Sequence, residues 1–402
     1  MIDLDANATT KPCGPAIDAM AKAARETWHN PSSIHRAGQR ARAVVELARR
    51  SLATLIGAKP NELVFTSGAT ESIELALKGA LGSRQLVVSA AEHAAVRDLA
   101  EQLEHAGTTV ARVPVTGEGF IDIDQLRKAT ARAPSLVSVH WANGETGAIQ
   151  PIEAIAGACR EHDAVLHVDA AQWVGRLPTD LASLDCDLMS FSPHKFHGTK
   201  GVGVLFARRN LTLAPVRPGS QELGRRGGTE AVPAIAAAGA AGEAAMELLA
   251  DGARLDQLTA RRERFEQRLL ESIPDAGING PADPGARVWS TSNVWFAGVE
   301  AEPVLLALSE RGLLASAGSA CSSGSLEPSE VLVAMGLPPE RLAGSIRFST
   351  SRLTTEAELD EAVGVIAEVV ASARVANAPA NPARSPGGDE QPPSVARPAS
   401  TP

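Results

Sequence analysis

Residues 167–172 read HVDAAQ and residues 190–201 read SFSPHKFHGTKG. In each, a short apolar run, AVLHVD at 164–169 and DLMSFS at 187–192, stops abruptly at polar side chains: Asp169 and Gln172 in one case, Ser192, His194 and Lys195 in the other. Runs of this length with such boundaries read as buried strands. Moving outward, ELVFT (62–66), QLVVSA (85–90), LVSVH (136–140) and GVGVLFA (201–207) alternate with helical-period stretches such as RARAVVELARRSLATLIGA (40–58). That alternation predicts an α/β domain with a mostly parallel sheet. Ligands bind such sheets beyond the carboxyl ends of the strands. Sequence order therefore gathers Thr66 to Thr70, His140 to Glu145, Asp169 and Ser192 to Lys195 along one edge.

With 402 residues the chain is long enough for two domains. The large α/β domain is expected over 13–252, ending in a Gly/Ala-rich helical stretch at 233–250. A charged amphipathic helix near 254–272 opens a smaller α+β domain over 253–373, joined by residues 1–12. Residues 374–402 are rich in Pro, Ala, Gly and Ser without apolar period and are expected to be a disordered tail.

A net charge of -9 without a dense Lys/Arg run argues against nucleic-acid binding. No stretch approaches the ~20 uninterrupted apolar residues of a membrane span, and the acidic start MIDLDANATT has no basic leader, so a cytoplasmic location is expected. The cysteines at 13, 159, 186 and 321 lack metal-binding spacing and are too sparse for a disulfide scaffold. Cys159 and Cys186 sit in apolar runs and read as core; Cys321, in SAGSACSSGS, has the exposed small-residue surroundings of a reactive thiol. His194 and His197 find no further matched ligands, so no metal is expected.

Taken singly, Asp169 could cap a helix and Ser-x-His-Lys could be a polar loop. Together they meet one chemical need: a buried carboxylate keeps a pyridinium nitrogen protonated while a nearby lysine forms a Schiff base with an aldehyde. FTSGATES (65–72) has the small residues that let amides at a helix start face an anion.

These segments resemble the cysteine desulfurases of the NifS/IscS kind, within the fold-type I pyridoxal-phosphate enzymes, over roughly residues 2–365. The resemblance implies that Lys195 carries pyridoxal 5'-phosphate, that Asp169 pairs with its ring nitrogen and that Gln172 bonds near its ring hydroxyl. It places Ala69, Thr70, Ser192 and His194 at the phosphate. Thr229, in GRRGGTE (224–230), is implied to reach the phosphate of a neighbouring subunit, hence a homodimer. His93, in SAAEHAAV, is implied to lie against the ring and to move protons. In GSACSSGSLEPSEVLVAMG (318–336) the resemblance makes Cys321 the nucleophile, and in SIRFS it makes Arg347 the clamp on the substrate carboxylate. LDANATT (4–10) and NPSSIHRAG (30–38) match segments at the site entrance.

The implied reaction takes sulfur from L-cysteine, leaving alanine and a persulfide on Cys321 that passes to a sulfur-acceptor protein, for iron-sulfur cluster assembly or a thiolation. One position departs from the family pattern. Where the family has two asparagines, WANGETG keeps Asn143 and has Gly144, a loss of about one charge-assisted hydrogen bond, roughly 1.5–3 kcal/mol. Asn143 is expected to compensate as a substrate ligand. Two alternatives share part of the pattern: a selenocysteine lyase or aminotransferase-like enzyme, which has no need of Cys321, and a weakly active sulfur-relay partner, suggested by Gly144.

Overall fold

The computed structural model describes residues 1–318 and 328–377. After β1 (Ile2–Asp3) come β2 (Leu63–Thr66), β3 (Gln85–Ser89), β4 (Val110–Val113), β5 (Ser135–His140), β6 (Val165–Asp169), β7 (Leu188–Phe191) and β8 (Gly203–Ala207). The last seven form one sheet in the order β2-β8-β7-β6-β5-β3-β4. Pairs from β4 through β7 are all parallel, and β8 runs antiparallel to both its neighbours. Strands β2, β3, β5, β6, β7 and β8 are buried along their whole length. This explains their near-continuous apolar runs: helices cover both faces, so no alternation is needed. Polar His167, in the middle of β6, is satisfied in place, with one ring nitrogen 2.9 Å from Ser138 Oγ and the other 2.9 Å from Ser190 Oγ on the flanking strands.

The Gly/Ala-rich helix Val232–Leu249 packs against Gly14–Glu26 and Arg36–Leu55. A Cβ at Gly239 would lie 2.7 Å from Ala48 Cα, so glycine permits this close approach. By length and composition this helix could cross a bilayer, but half of it is buried, as in a core helix of a globular domain.

A second core lies beyond it. Strands β9 (Ala276–Ile278) and β10 (Thr291–Phe296), short β11 (Leu313–Leu314) and β12 (Ser345–Ser349) follow in the chain, and β12-β10-β9 form an antiparallel sheet. Phe265, Phe296 and Phe348 meet edge to face in this core, and helices Ala301–Glu310 and Glu356–Asn377 contribute Val304, Leu308, Leu359 and Ile366. Ile2 and Leu4 belong to it too, because β1 pairs with β11. The closing helix continues to Asn377, past the point at which a tail was expected to start. Its last turn is held by Arg374, which donates to the carbonyls of Ala297 and Pro274 at 2.9 and 2.8 Å. Composition alone hid that anchor; residues 378–402 lie outside the described part.

Candidate active site

The carboxyl ends of β2, β3, β5, β6 and β7 share one edge of the large sheet. β2 ends in Thr66, whose hydroxyl donates to Gly68 O at 3.0 Å, and Gly68 caps the helix Ala69–Leu81. β8 passes directly beneath, since a Cβ at Gly203 would come within 2.2 Å of Gly68. Ala69 and Thr70 thus stand at the open first turn of a helix, Thr70 exposed. β3 leads to His93, an exposed N-cap whose Nδ1 accepts from Ala95 N at 3.1 Å.

β6 ends at Asp169, paired in register with His140 and Ser190. Asp169 is buried, and its Oδ1 accepts from Ala171 N at 3.0 Å. β7 ends in the single turn Pro193–Lys195. Ser192 is buried and donates to Val202 O at 2.8 Å, closing the turn back to β8.

The N-terminal segment ties these ends together. Asn7 O accepts from Lys195 Nζ and, at 3.1 Å, from Gln172 Nε2, so the amine and the amide lie side by side on one oxygen. Lys195 Nζ also donates to Ala8 O at 3.1 Å. The Asn7 side chain donates to Gly144 O at 2.9 Å and to Thr291 Oγ1 at 2.8 Å, and accepts from Arg176 Nη1 at 2.6 Å. Arg176, almost wholly buried, reaches further to Ser290 Oγ, Ala6 O and Lys195 O. Thr9 Oγ1 lies 3.1 Å from His194 Nδ1. Asn7 and Arg176 are therefore the frame of the site, although neither was singled out from sequence. LDANATT looked like a supporting match; its spacing carries no hint that one backbone oxygen would serve two side chains from the far end of the large domain.

Arg347, on β12, is buried and points into the same region. It donates to Gly318 O at 3.0 Å, to Gly144 O at 3.3 Å and to Asp5 Oδ1 at 2.8 Å. Asn143 holds its own turn. Its Oδ1 accepts from Glu145 N and Thr146 N, both at 2.9 Å, and its amide donates to Ala91 O at 3.3 Å. The side chain's oxygen is committed to folding the 143–146 turn, while its amide, with one N–H on Ala91 O, keeps a second donor. Gly144 contributes its carbonyl instead, and a Cβ there would rest in ordinary contact, 3.4 Å, with Gln172 Nε2. Thr229 is exposed on the surface, and Cys321 lies outside the described residues.

Burial governs the titration of this edge. It pushes His194 down to about 4, helped by the neighbouring charge of Lys195, and His197 and His167 down to about 4 as well. All three rings are thus neutral at pH 7, and His194 can accept but does not add positive charge beside Lys195. Their folded values lie below the usual 6.5, so the unfolded chain binds more protons between 6.5 and 4. Stability present above pH 6.5 is lost as the pH falls through that window. Melting midpoints measured from pH 7.5 down to 4.5 should fall steadily below pH 6.5; a flat profile would contradict the burial of these rings. Burial also pushes the Cys159 and Cys186 thiols up to about 12, leaving them unreactive core residues.

The residues present fit pyridoxal phosphate. Gln172 Oε1 is buried and has no hydrogen-bond partner, an acceptor beside the Lys195 amine that a ring hydroxyl would satisfy. Asp169 is a buried carboxylate at the neighbouring strand end, and an open helix start stands ready for a phosphate.

Comparison with known proteins agrees with this arrangement. The model of the aminotransferase class-V family matches residues 2–362. A cysteine desulfurase of Trichormus azollae is 42% identical over 375 residues, 92% of this chain and 93% of that protein. Among solved structures, a NifS-like protein superposes with a TM-score of 0.85 at 32% identity, covering 92% of this chain and 99% of its own. SspA in complex with cysteine superposes with a TM-score of 0.77 at 33% identity, covering 88% of this chain and 100% of that one. With the strand-end constellation and these matches over nearly the whole chain, the protein belongs to the class-V aminotransferase family, among its cysteine desulfurases.

Proposed function

We propose that this chain takes sulfur from L-cysteine, with Lys195 as the proton-moving base, Arg347 as the carboxylate clamp and Cys321 as the sulfur-accepting nucleophile. The observation that carries the reading is the sharing of Asn7 O by Lys195 and Gln172, which sets an amine beside a buried acceptor, Gln172 Oε1, that has no partner among the described residues. Support for the substrate comes from the relative solved with cysteine.

Pyridoxal phosphate, when bound, supplies a sink for the electrons released at the substrate α-carbon. Asp169 would pair with its ring nitrogen, and Gln172 would bond near its ring hydroxyl. The Lys195 amine removes the α-proton and returns it one position away. His93 lies at the mouth of the site as a second proton carrier. The Cys321 thiolate then attacks the substrate sulfur: the new S–S bond forms as the C–S bond breaks, and the pair left on the β-carbon takes a proton to give alanine. The resulting persulfide leaves on the chain for an acceptor protein. A homodimer completes the site in this reading. Thr229 is exposed in the single chain, as are Trp28, Ile34 and Leu223 at 66%, 95% and 75%, a burden of apolar surface that a partner subunit would cover.

The test is one preparation of holoenzyme given L-cysteine. It should sediment as a dimer, release alanine and gain the mass of one or more sulfur atoms per chain. Cys321→Ala should keep its cofactor and lose the mass gain entirely. Sulfur retained on the Cys321→Ala chain would assign the nucleophile elsewhere.

A further inference from the structure

Arg347 is a buried cation at the strand-end site, bonded to Gly318 O, Gly144 O and Asp5. A guanidinium with 5% exposure is costly unless its charge is met. Two of its bonds go to neutral carbonyls, Gly318 O at 3.0 Å and Gly144 O at 3.3 Å. Among the described residues the carboxylate that meets it is Asp5, 2.8 Å from Nη2. Glu145 stands nearby, but its Oε2 takes the Ser329 hydroxyl at 2.5 Å and it forms no ion pair with Arg347 among the described residues. The Arg347 Nε is buried and has no hydrogen-bond partner among the described residues. One donor is thus idle and the adjacent Nη2 is held by a side chain that is 28% exposed.

Asp5 is suited to letting go. It follows β1 on a backbone fixed by the Asp5 to Ser349 bridge, and among the described residues its carboxylate has Arg347 as its ion-pair partner. Turning outward would leave the backbone in place and bring the carboxylate into water.

We propose that Asp5 is a stand-in for the substrate carboxylate: it neutralises Arg347 in the empty site and is exchanged for the carboxylate of the incoming amino acid. This deepens the reading of Arg347 as the carboxylate clamp and rests on it. The exchange keeps the guanidinium paired at every stage. It also makes affinity a difference between two ion pairs, so an amine without a carboxylate cannot displace Asp5 and gains nothing from Arg347. Asp5 is in this sense a specificity-determining residue.

Asp5→Asn holoenzyme tests the exchange. L-Alanine should bind about ten- to a hundredfold more tightly, the scale of one charge-assisted hydrogen bond removed from the competing side, and KM for L-cysteine should fall by a similar factor. Ethylamine, the same amine without the carboxylate, should bind as it does to wild type. The ligand-free variant should melt earlier and recover more on adding L-alanine than wild type does. Asp5→Ala should move each quantity in the same direction, guarding against an effect of the amide itself. Weaker L-alanine binding in both variants would make Asp5 a brace and overturn the proposal. Arg347→Ala separates the two levels. If it still prefers L-alanine to ethylamine, the clamp assignment fails and the exchange with it; if that preference vanishes while Asp5→Asn weakens L-alanine binding, only the role of Asp5 is lost.

Discussion

Lys195→Ala holoenzyme is expected to release alanine from L-cysteine at least about a thousandfold more slowly than wild type, the combined scale of losing covalent anchorage and a positioned base. Neither neighbouring lysine is placed to substitute, and His93, an imidazole, can carry a proton but cannot form the Schiff base. Lys195 Nζ is aimed by the carbonyls of Asn7 and Ala8, whereas Lys200 is exposed beyond the turn and Lys11 is exposed on the N-terminal side. His194, the nearest ring in sequence, titrates near 4 and is a weak base at neutral pH. Added pyridoxal phosphate should still bind through the phosphate and ring contacts, but reversibly, so that desalting removes it. The measurements are the steady-state rate and the visible absorption before and after desalting. A rate within tenfold of wild type would show that another group moves the α-proton.

Arg176→Met should damage the frame rather than the chemistry. Removing the guanidinium strands Asn7 Oδ1, Ser290 Oγ and the Ala6 and Lys195 carbonyls in a region where water does not reach them. Breaking a buried charged network from one side costs about 3–5 kcal/mol. Methionine fills much of the volume and supplies no donor. Denaturant titration of the cofactor-free protein should show that loss, and Asn7, freed from Arg176, should hold Lys195 and Gln172 less well, so affinity for pyridoxal phosphate falls with stability. Wild-type stability together with wild-type cofactor affinity would mean that the Arg176 network is energetically idle.

The strands that build the site were legible because they are buried on both faces: β2, β3, β5, β6, β7 and β8 each appear as an apolar run with a polar stop. β4 was not, and the reason is its place at the sheet edge. Its sequence VARV mixes an exposed Arg112, paired with Glu104, into a half-buried pattern that neither period describes. The placement of Asp169, Gln172 and Lys195 at or just beyond strand ends was equally legible, since polar residues there have few structural excuses. The turn-forming part of Asn143 left no such mark, because asparagine serves turns and ligands with the same amide. Arg176 and Asn7 were missed for a complementary reason: their partners, at 144, 195, 290 and 291 among others, lie far away along the chain, and spacing leaves no trace of that juxtaposition.

The pairing of the first residues of the chain with the last strand has a consequence for biosynthesis. Asn7 N donates to Ser349 Oγ, and Asp5 meets Arg347, across a separation of 342 residues in each case. A ribosome making this chain exposes the large domain's strands long before β12 exists, and domains generally fold as they emerge. Lys195 can take its place at the sheet edge early, but the segment that aims it stays unanchored on its far side until nearly the whole chain has been made. The nascent enzyme is therefore kept from working on free cysteine until the arginine and the second core arrive together, and truncated products from stalled translation should be inert even when their sheet is intact.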